Sequence, residues 1–229
     1  MTSNELSNLK NKEILVTGGC GFIGSEIVKQ LSLIGANVTI IDNLSSGKEK
    51  YIHGLSNVKL ITADLLDDDA VKSAVKDKEY VINNAALPFI PDSYYLPKKF
   101  FDVNVNATIS LALSVIKEKK VKRFVHISSS EIYGTAKYVP MDENHHTTPQ
   151  STYAVSKLAG ERVIFTMHKE HNLPAVIIRP FNSFGPNITQ PYIIPEIIRQ
   201  IEKSDVIKLG NLNAKRDLTY VTDTARGII

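Results

Sequence analysis

Thr17-Gly18-Gly19-Cys20-Gly21-Phe22-Ile23-Gly24 decides the reading of this chain. A short apolar run, Ile14-Leu15-Val16, precedes it, and Ile23, Ile27, Leu31 and Ile34 recur behind it at helical spacing. The pattern predicts a strand that feeds a glycine turn and a turn that feeds a helix. Its glycines fit either of two frames, Gly19-x-Gly21-x-x-Gly24 or Gly18-x-x-Gly21-x-x-Gly24. Glycine suits a backbone that must turn tightly, approach a pyrophosphate closely and pack a helix on its strand. The unpaired amides and the positive dipole end of that helix favour a diphosphate.

The surroundings of the turn sharpen this reading. Gly35 stands at a helix stop, and Asn37-Val38-Thr39-Ile40-Ile41 reads as a second strand that Asp42 closes. A carboxylate there accepts the 2′- and 3′-hydroxyls of an adenosine ribose and repels a 2′-phosphate, so NAD is expected rather than NADP. The Gly47-Lys48 pair does not make a P-loop, because Asp42 takes the earlier glycine position and Glu49 the place of Ser or Thr. Further strands are expected at Val58 to Thr62, Tyr80 to Asn83, Arg123 to Ser128, Ala175 to Ile178 and Val206 to Leu209. Helices are expected from Pro97 onward, from Thr152 to about Glu170 and from Tyr192 to Glu202, with a proline-punctuated loop from Leu87 to Leu96.

Strands alternating with helices predict an α/β fold, a Rossmann-type doubly wound parallel sheet of about seven strands with helices on both faces. Ligands of such sheets bind at the carboxyl ends of strands. Thr17, Asp42, Asp64, Asn84, Ser129 and Pro180 all fall at such ends. The expected cofactor contacts are Gly18, Gly21, Phe22, Ile23 and Gly24 at the turn, then Asp42 and Asn43, Asp64 and Leu65, and Asn84, Ala85 and Ala86 after successive strands. Tyr153, Lys157 and Pro180 complete the set. Residues 1–180 are expected to form the NAD-binding domain. Residues 181–229 then begin a small substrate-binding part, incomplete at its C-terminus because Thr224 to Ile229 reads as a helix cut short.

With 229 residues, 43% of them hydrophobic, the chain is long enough to bury a full core. A net charge of +3 is too small to suggest a nucleic-acid partner, and the basic run Lys117 to Arg123 reads as a solvated helix end. No stretch is expected to reach the apolar length of a membrane span, and Met1 to Lys12 lacks the apolar centre of a signal peptide. The single cysteine, Cys20, allows no internal disulfide, and His145 and His146 have no partners at ligand spacing, so no metal is assigned. A soluble cytoplasmic protein is expected.

The chemistry is carried by Tyr153-x-x-x-Lys157, a phenol and an ammonium on one face of a helix. Tyr94/Lys98, Tyr95/Lys99 and Tyr133/Lys137 share the spacing, but Pro97 interrupts two of them and Gly134 follows Tyr133. Lowering a phenol from a pKa of about 10 by three units needs roughly 4 kcal/mol. One ammonium at about 4 Å supplies an interaction of that order at an effective dielectric near 20. Tyr153 is therefore expected to act as a general base, with Ser129 hydrogen-bonded to the same substrate oxygen.

Through these residues the chain resembles the extended short-chain dehydrogenases/reductases of the NAD-dependent epimerase/dehydratase family. The glycine turn, the Ser129/Tyr153/Lys157 triad, Arg179-Pro180-Phe181-Asn182-Ser183-Phe184-Gly185-Pro186 and Arg216-Asp217-Leu218-Thr219-Tyr220-Val221-x-Asp223 follow the family's order. The resemblance implies an NDP-sugar substrate, an Asn-Val element at Asn104, and substrate contacts at Ser93, Asn182 and Arg216, with the last two on the diphosphate. It also implies a homodimer through the two long helices. Ser129-Ser130-Glu131 is similar to the 4,6-dehydratases, of the GDP-mannose and legionaminic-acid-pathway type, with Ser130 and Glu131 in the catalytic set. In such enzymes oxidation at C4 acidifies C5, and the carboxylate takes the C5 proton before water leaves C6. A 4-epimerase, an NDP-uronate decarboxylase and a non-catalytic NAD- or sugar-nucleotide-binding module remain open alternatives.

Overall fold

The computed structural model describes residues 7–229. Six strands, β1 (Glu13–Thr17), β2 (Asn37–Asp42), β3 (Val58–Thr62), β4 (Tyr80–Asn83), β5 (Arg123–Ile127) and β6 (Ala175–Ile178), form one sheet. Their order is β3-β2-β1-β4-β5-β6, and every pairing is parallel. The chain winds outward from β1 in one direction to β3, then crosses to β4 and winds the other way. That reversal opens a crevice at the carboxyl ends of β1 and β4. Register places Thr17 beside both Ile41 and Asn83, so the glycine turn starts at the mouth of the crevice.

Both faces of the sheet are covered, as parallel sheets require. Successive side chains alternate between faces, so Leu15, Val81 and Phe124 enter one core with Leu111, Val115 and Ile164. Ile14, Val16, Ile40 and Ile82 enter the other with Ile27, Val28 and Leu31. The helices are α1 (Phe22–Ile34), α2 (Asp68–Val75), α3 (Ile90–Tyr95), α4 (Pro97–Glu118), α5 (Thr152–His171), α6 (Ile193–Ile201) and α7 (Val221–Ile228). Asp67 caps α2 by accepting from the Asp69 and Ala70 amides, and Ser151 caps α5 through the Ala154 amide. Within α4 a π turn spans Asp102–Asn106 and buries Asn104.

Three expectations are corrected. Val206 to Leu209 is no strand. A strand needs a partner edge, and Val206, Ile207 and Leu209 are exposed here, with the Lys208 amide on the Gln200 side chain instead. The further strands are β7 (Asn182–Phe184) and β8 (Leu218–Tyr220), which pair in parallel as a separate two-stranded sheet. Part of the Leu87 to Leu96 loop is helix α3, because Pro91 sits at a first-turn position that tolerates a missing N–H. Finally, Pro97–Glu118 is long and apolar enough, by length and composition alone, to cross a membrane. In the fold its Phe100, Leu111, Ala112 and Val115 are buried core residues.

An ion pair between a buried carboxylate and a half-buried guanidinium ties the end of β6 to α5. The Arg179 guanidinium donates to Glu161 through Nε (3.0 Å) and Nη2 (2.5 Å) and to the Tyr133 hydroxyl at 2.8 Å. Glu161 is 2% exposed and Arg179 19%, so losing Glu161 leaves the cation with the Tyr133 hydroxyl and the Glu143 carbonyl. Glu161→Ala is expected to lower unfolding free energy by about 1.5–3 kcal/mol, read as a fall in the urea midpoint with the slope unchanged.

Candidate functional site

A cleft of about 640 Å³ lies along the carboxyl ends of the strands. It collects Gly18, Gly21, Phe22 and Ile23 from the turn, Asp42, Asn43, Asp64 and Leu65 beside them, and Asn84, Ala85 and Ala86 from the end of β4. Ser129, Ser130, Glu131, Tyr153, Lys157, Pro180, Asn182 and Arg216 line its other half. Gly24 and Ser93 are not among the walls. Gly24 packs behind the turn, where an added Cβ would run into the Gly18 carbonyl oxygen. Ser93 is fully buried and donates to the Ile90 carbonyl at 2.7 Å inside α3, so its hydroxyl does not face the cleft.

The frame of the glycine motif is settled by packing. Gly18 and Gly21 face the cleft, and Gly18 has φ +65 with Ala85 Cα 2.8 Å from where a Cβ would stand. Gly19 instead packs on Ile40, whose Cγ2 would lie 2.8 Å from an added Cβ, and Cys20 is buried. Burial, then the charge of Asp42, pushes the Cys20 thiol up to about 12. Gly21 is the N-cap of α1 and provides no side-chain cap, so the first amides of α1 are open to a ligand. Asp42 is buried at 8% exposure, its oxygens accepting from the amides of Cys20 (2.9 Å) and Leu44 (2.8 Å). Asn43 donates to Asp64 at 2.8 Å across the adjoining rim. A glycine cradle without room for a Cβ, an uncapped helix start and a fixed carboxylate at the end of β2 together fit an adenine dinucleotide.

Behind the cleft runs a buried hydrogen-bond chain that sequence reasoning missed. Thr17 Oγ1 accepts from the Asn84 and Ala85 amides and donates to Asn83 Oδ1 at 3.0 Å. The Asn83 amide group reaches Thr108 Oγ1 and His126 Nδ1, each at 3.1 Å, and Thr108 donates to the Asn104 carbonyl. Asn104 Nδ2 donates to Ser156 Oγ at 2.9 Å, which donates to the Tyr153 carbonyl at 2.7 Å. Polar residues at helix spacing on α4 and α5 were the available signal, but their burial depends on which faces meet. His126 is fully buried, and burial followed by the Lys157 charge holds it well below its ordinary pKa as a neutral imidazole.

Of the four tyrosine–lysine pairs, Tyr153/Lys157 has both members on the cleft. Tyr94 and Tyr95 are exposed, and Tyr133 is buried against Arg179 in a 3-10 turn, Ser130–Tyr133. The expected lowering of Tyr153 by Lys157 is corrected. Burial raises the Tyr153 phenol above 10, a hydrogen bond from Ser129 lowers it, and the Glu131 charge raises it again. Lys157 donates to the Ile127 carbonyl at 2.6 Å, and its burial brings its own pKa down to about 8. Desolvation is the largest cause of both shifts, and neither group figures among the causes of the other's. Ser129 caps the turn by accepting from the Glu131 amide at 3.2 Å, so the Glu131 carboxylate is not the capping group. Ser128, Lys99 and Tyr192 also reach the cleft, none of them singled out by motif.

The model of the NAD dependent epimerase/dehydratase family matches residues 14–229. A UDP-N-acetylglucosamine 4-epimerase from Methanobrevibacter ruminantium, solved with UDP-N-acetylmuramic acid, is 35% identical with a TM-score of 0.89, over 96% of this chain and 72% of that one. The dTDP-glucose 4,6-dehydratase DesIV from Streptomyces venezuelae, solved with NAD, is 28% identical with a TM-score of 0.87, over 94% and 70%. A UDP-N-acetyl-alpha-D-glucosaminuronate decarboxylase from Bacillus cytotoxicus is 30% identical over 95% of this chain and 70% of its own.

Two outcomes follow from this geometry. Asp42→Ala should weaken NAD binding and relax discrimination against NADP, measured by calorimetric titration with each; equal wild-type affinity for the two would contradict the assignment. Between about pH 8 and about 10 the unfolded chain holds a proton on Lys157 that the folded, ligand-free protein has shed. Stability should therefore rise with pH from about 8 to about 9, above which the raised Cys20 thiol offsets the gain, and Lys157→Met should remove the rise in denaturant titrations.

Proposed function

The chain belongs to the NAD dependent epimerase/dehydratase family, and from that premise we propose that it is an NDP-hexose 4,6-dehydratase. The family and its relatives establish an NAD-dependent enzyme of nucleotide-sugar chemistry. The observation that carries the finer reading is Glu131, an uncommitted carboxylate on the cleft wall close enough to Tyr153 to raise its pKa. Epimerisation at C4 needs no base at C5, whereas elimination of water across C5 and C6 does.

In this reading the uncapped start of α1 holds the pyrophosphate and Asp42 the adenosine ribose. NAD held by these residues would supply the oxidant, accepting hydride from C4 and giving it back at C6. Tyr153 removes the C4 hydroxyl proton, with Ser129 hydrogen-bonded to the same oxygen and Lys157 charged below about pH 8 to favour the phenolate. Glu131 takes the C5 proton that the C4 ketone has acidified. Ser130 lies beside it in the same turn. Asn182 on β7 and Arg216 just before β8 line the substrate half and grip the diphosphate, a task that suits a guanidinium.

Residues 1–180 serve the cofactor and 181–229 the substrate. Two copies pair through α4 and α5, where Leu113, Val155 and Phe165 are exposed, and the cytoplasm supplies both NAD and sugar nucleotides. A second reading, a 4-epimerase, is favoured by the higher identity to the Methanobrevibacter enzyme.

Glu131→Gln keeps size and hydrogen bonding but removes the base. The variant should still oxidise C4 yet lose water elimination by about 10²-fold or more. Products from dTDP-glucose, GDP-mannose and UDP-N-acetylglucosamine, read by NMR, check this. A wild type that yields only C4 epimers, or a Gln variant as fast as wild type, would sink the dehydratase reading.

A further inference from the structure

An elimination needs an acid as well as a base, because hydroxide is a poor leaving group without a proton. Resting on the dehydratase reading, we infer that Tyr192 is the proton donor to the departing C6 hydroxyl. Tyr192 is the N-cap residue of α6 and stands on the cleft wall with Tyr153 and Glu131. Its hydroxyl donates weakly to the Pro88 carbonyl at 3.4 Å, and its ring meets Phe89 edge-on at 6.1 Å. A long, single hydrogen bond to one carbonyl is readily exchanged for a substrate oxygen.

Several of the other polar cleft groups are committed elsewhere. Asp42 and Asp64 sit at the adenosine end, where Asp42 is held by backbone amides and Asp64 by Asn43. Lys157 is tied to the Ile127 carbonyl, and Arg216, which donates to the Lys215 carbonyl, is a guanidinium that keeps its protons. Ser130 offers only an aliphatic hydroxyl. Tyr192 offers a neutral O–H near the carboxylate that takes the C5 proton.

The acidity is adequate. Burial, then the charges of Tyr153 and of Glu131, raise Tyr192 well above the ordinary phenol, so it stays protonated throughout the neutral range. A phenol is still the stronger acid against water at about 15.7, and transfer becomes favourable as the C6–O bond breaks.

The protons also balance. Tyr153 gains the C4 hydroxyl proton, which the ketone product does not need back. Glu131 gains the C5 proton, and the C5–H electron pair forms the C5=C6 bond while C6–O breaks. Tyr192 gives its proton to the leaving oxygen, releasing water. Hydride then returns to C6 and Glu131 returns its proton to C5. The proton left on Tyr153 restores Tyr192, so the net change is loss of one water.

Tyr192→Phe tests this, with the wild type and Glu131→Gln run beside it on dTDP-glucose, GDP-mannose and UDP-N-acetylglucosamine in deuterated water. If Tyr192 is the acid, water loss falls about 10²-fold, while deuterium still enters C5 of the recovered substrate because oxidation and Glu131 remain intact. Glu131→Gln loses both signals. A Tyr192→Phe variant that dehydrates at the wild-type rate overturns the assignment and leaves the dehydratase reading standing. A variant that loses C5 exchange together with water loss also overturns it, since Tyr192 would then be positioning substrate. A wild type that forms only C4 epimers overturns both readings at once.

Discussion

The buried chain of hydrogen bonds from Thr17 to the Tyr153 carbonyl is the constraint on which the site depends. Thr17, Asn83, Asn104, Thr108, His126 and Ser156 are all almost wholly buried. Each such group costs free energy unless it finds a partner, so their shared hydrogen bonds, which leave His126 Nε2 without one, fix one relative placement of β1, β4, α4 and α5. At one end the chain holds the amides of Asn84 and Ala85 against the glycine turn. At the other it sets the height of Tyr153 on α5. The glycine-turn half and the Tyr153 half of the cleft are therefore positioned by one network rather than by two loops.

Close backbone approach makes that network possible. The π turn in α4 carries Asn104, and the Asn104 carbonyl lies 2.8 Å from where a Cβ on Gly160 would stand. Gly160 thus lets α5 lie down on the turn, as Gly18 lets Ala85 lie against the crevice. An extra residue in a helix of this kind shifts the faces before and after it, which is how one helix supplies both Phe100 to the α5 side and Leu111 to the sheet.

Electrostatics in and behind the cleft are dominated by desolvation. Tyr153 and Tyr192 are raised, and Lys157 and His126 are lowered, each with burial as the largest cause. The ligand-free site thus stores its protons on phenols and its positive charge on a lysine that loses it near pH 8. On the proposed reading, a positive cofactor ring and the substrate's hydroxyls would lower the Tyr153 phenol toward the phenolate.

By itself the sequence determined the architecture and most of the cleft. Local patterns suffice where the signal is short-range: the apolar run before Thr17, the glycines, Asp42 at the end of a strand and the unbroken helix through Tyr153 and Lys157. Those features identified the parallel sheet, and the residues fell on the predicted strand ends. Only the tertiary structure decided which glycine faces the ligand, because Gly19 is excluded by its contact with Ile40 and not by any feature of spacing. It also decided that Val206 to Leu209 stays unpaired, since a strand exists only where an edge receives it. Ser93, buried in α3, and Tyr192, brought across from α6 to Tyr153 and Glu131, show the same limit. Whether a polar side chain meets water, a helix carbonyl or a cleft depends on partners far along the chain, and pKa values set by burial are decided with them.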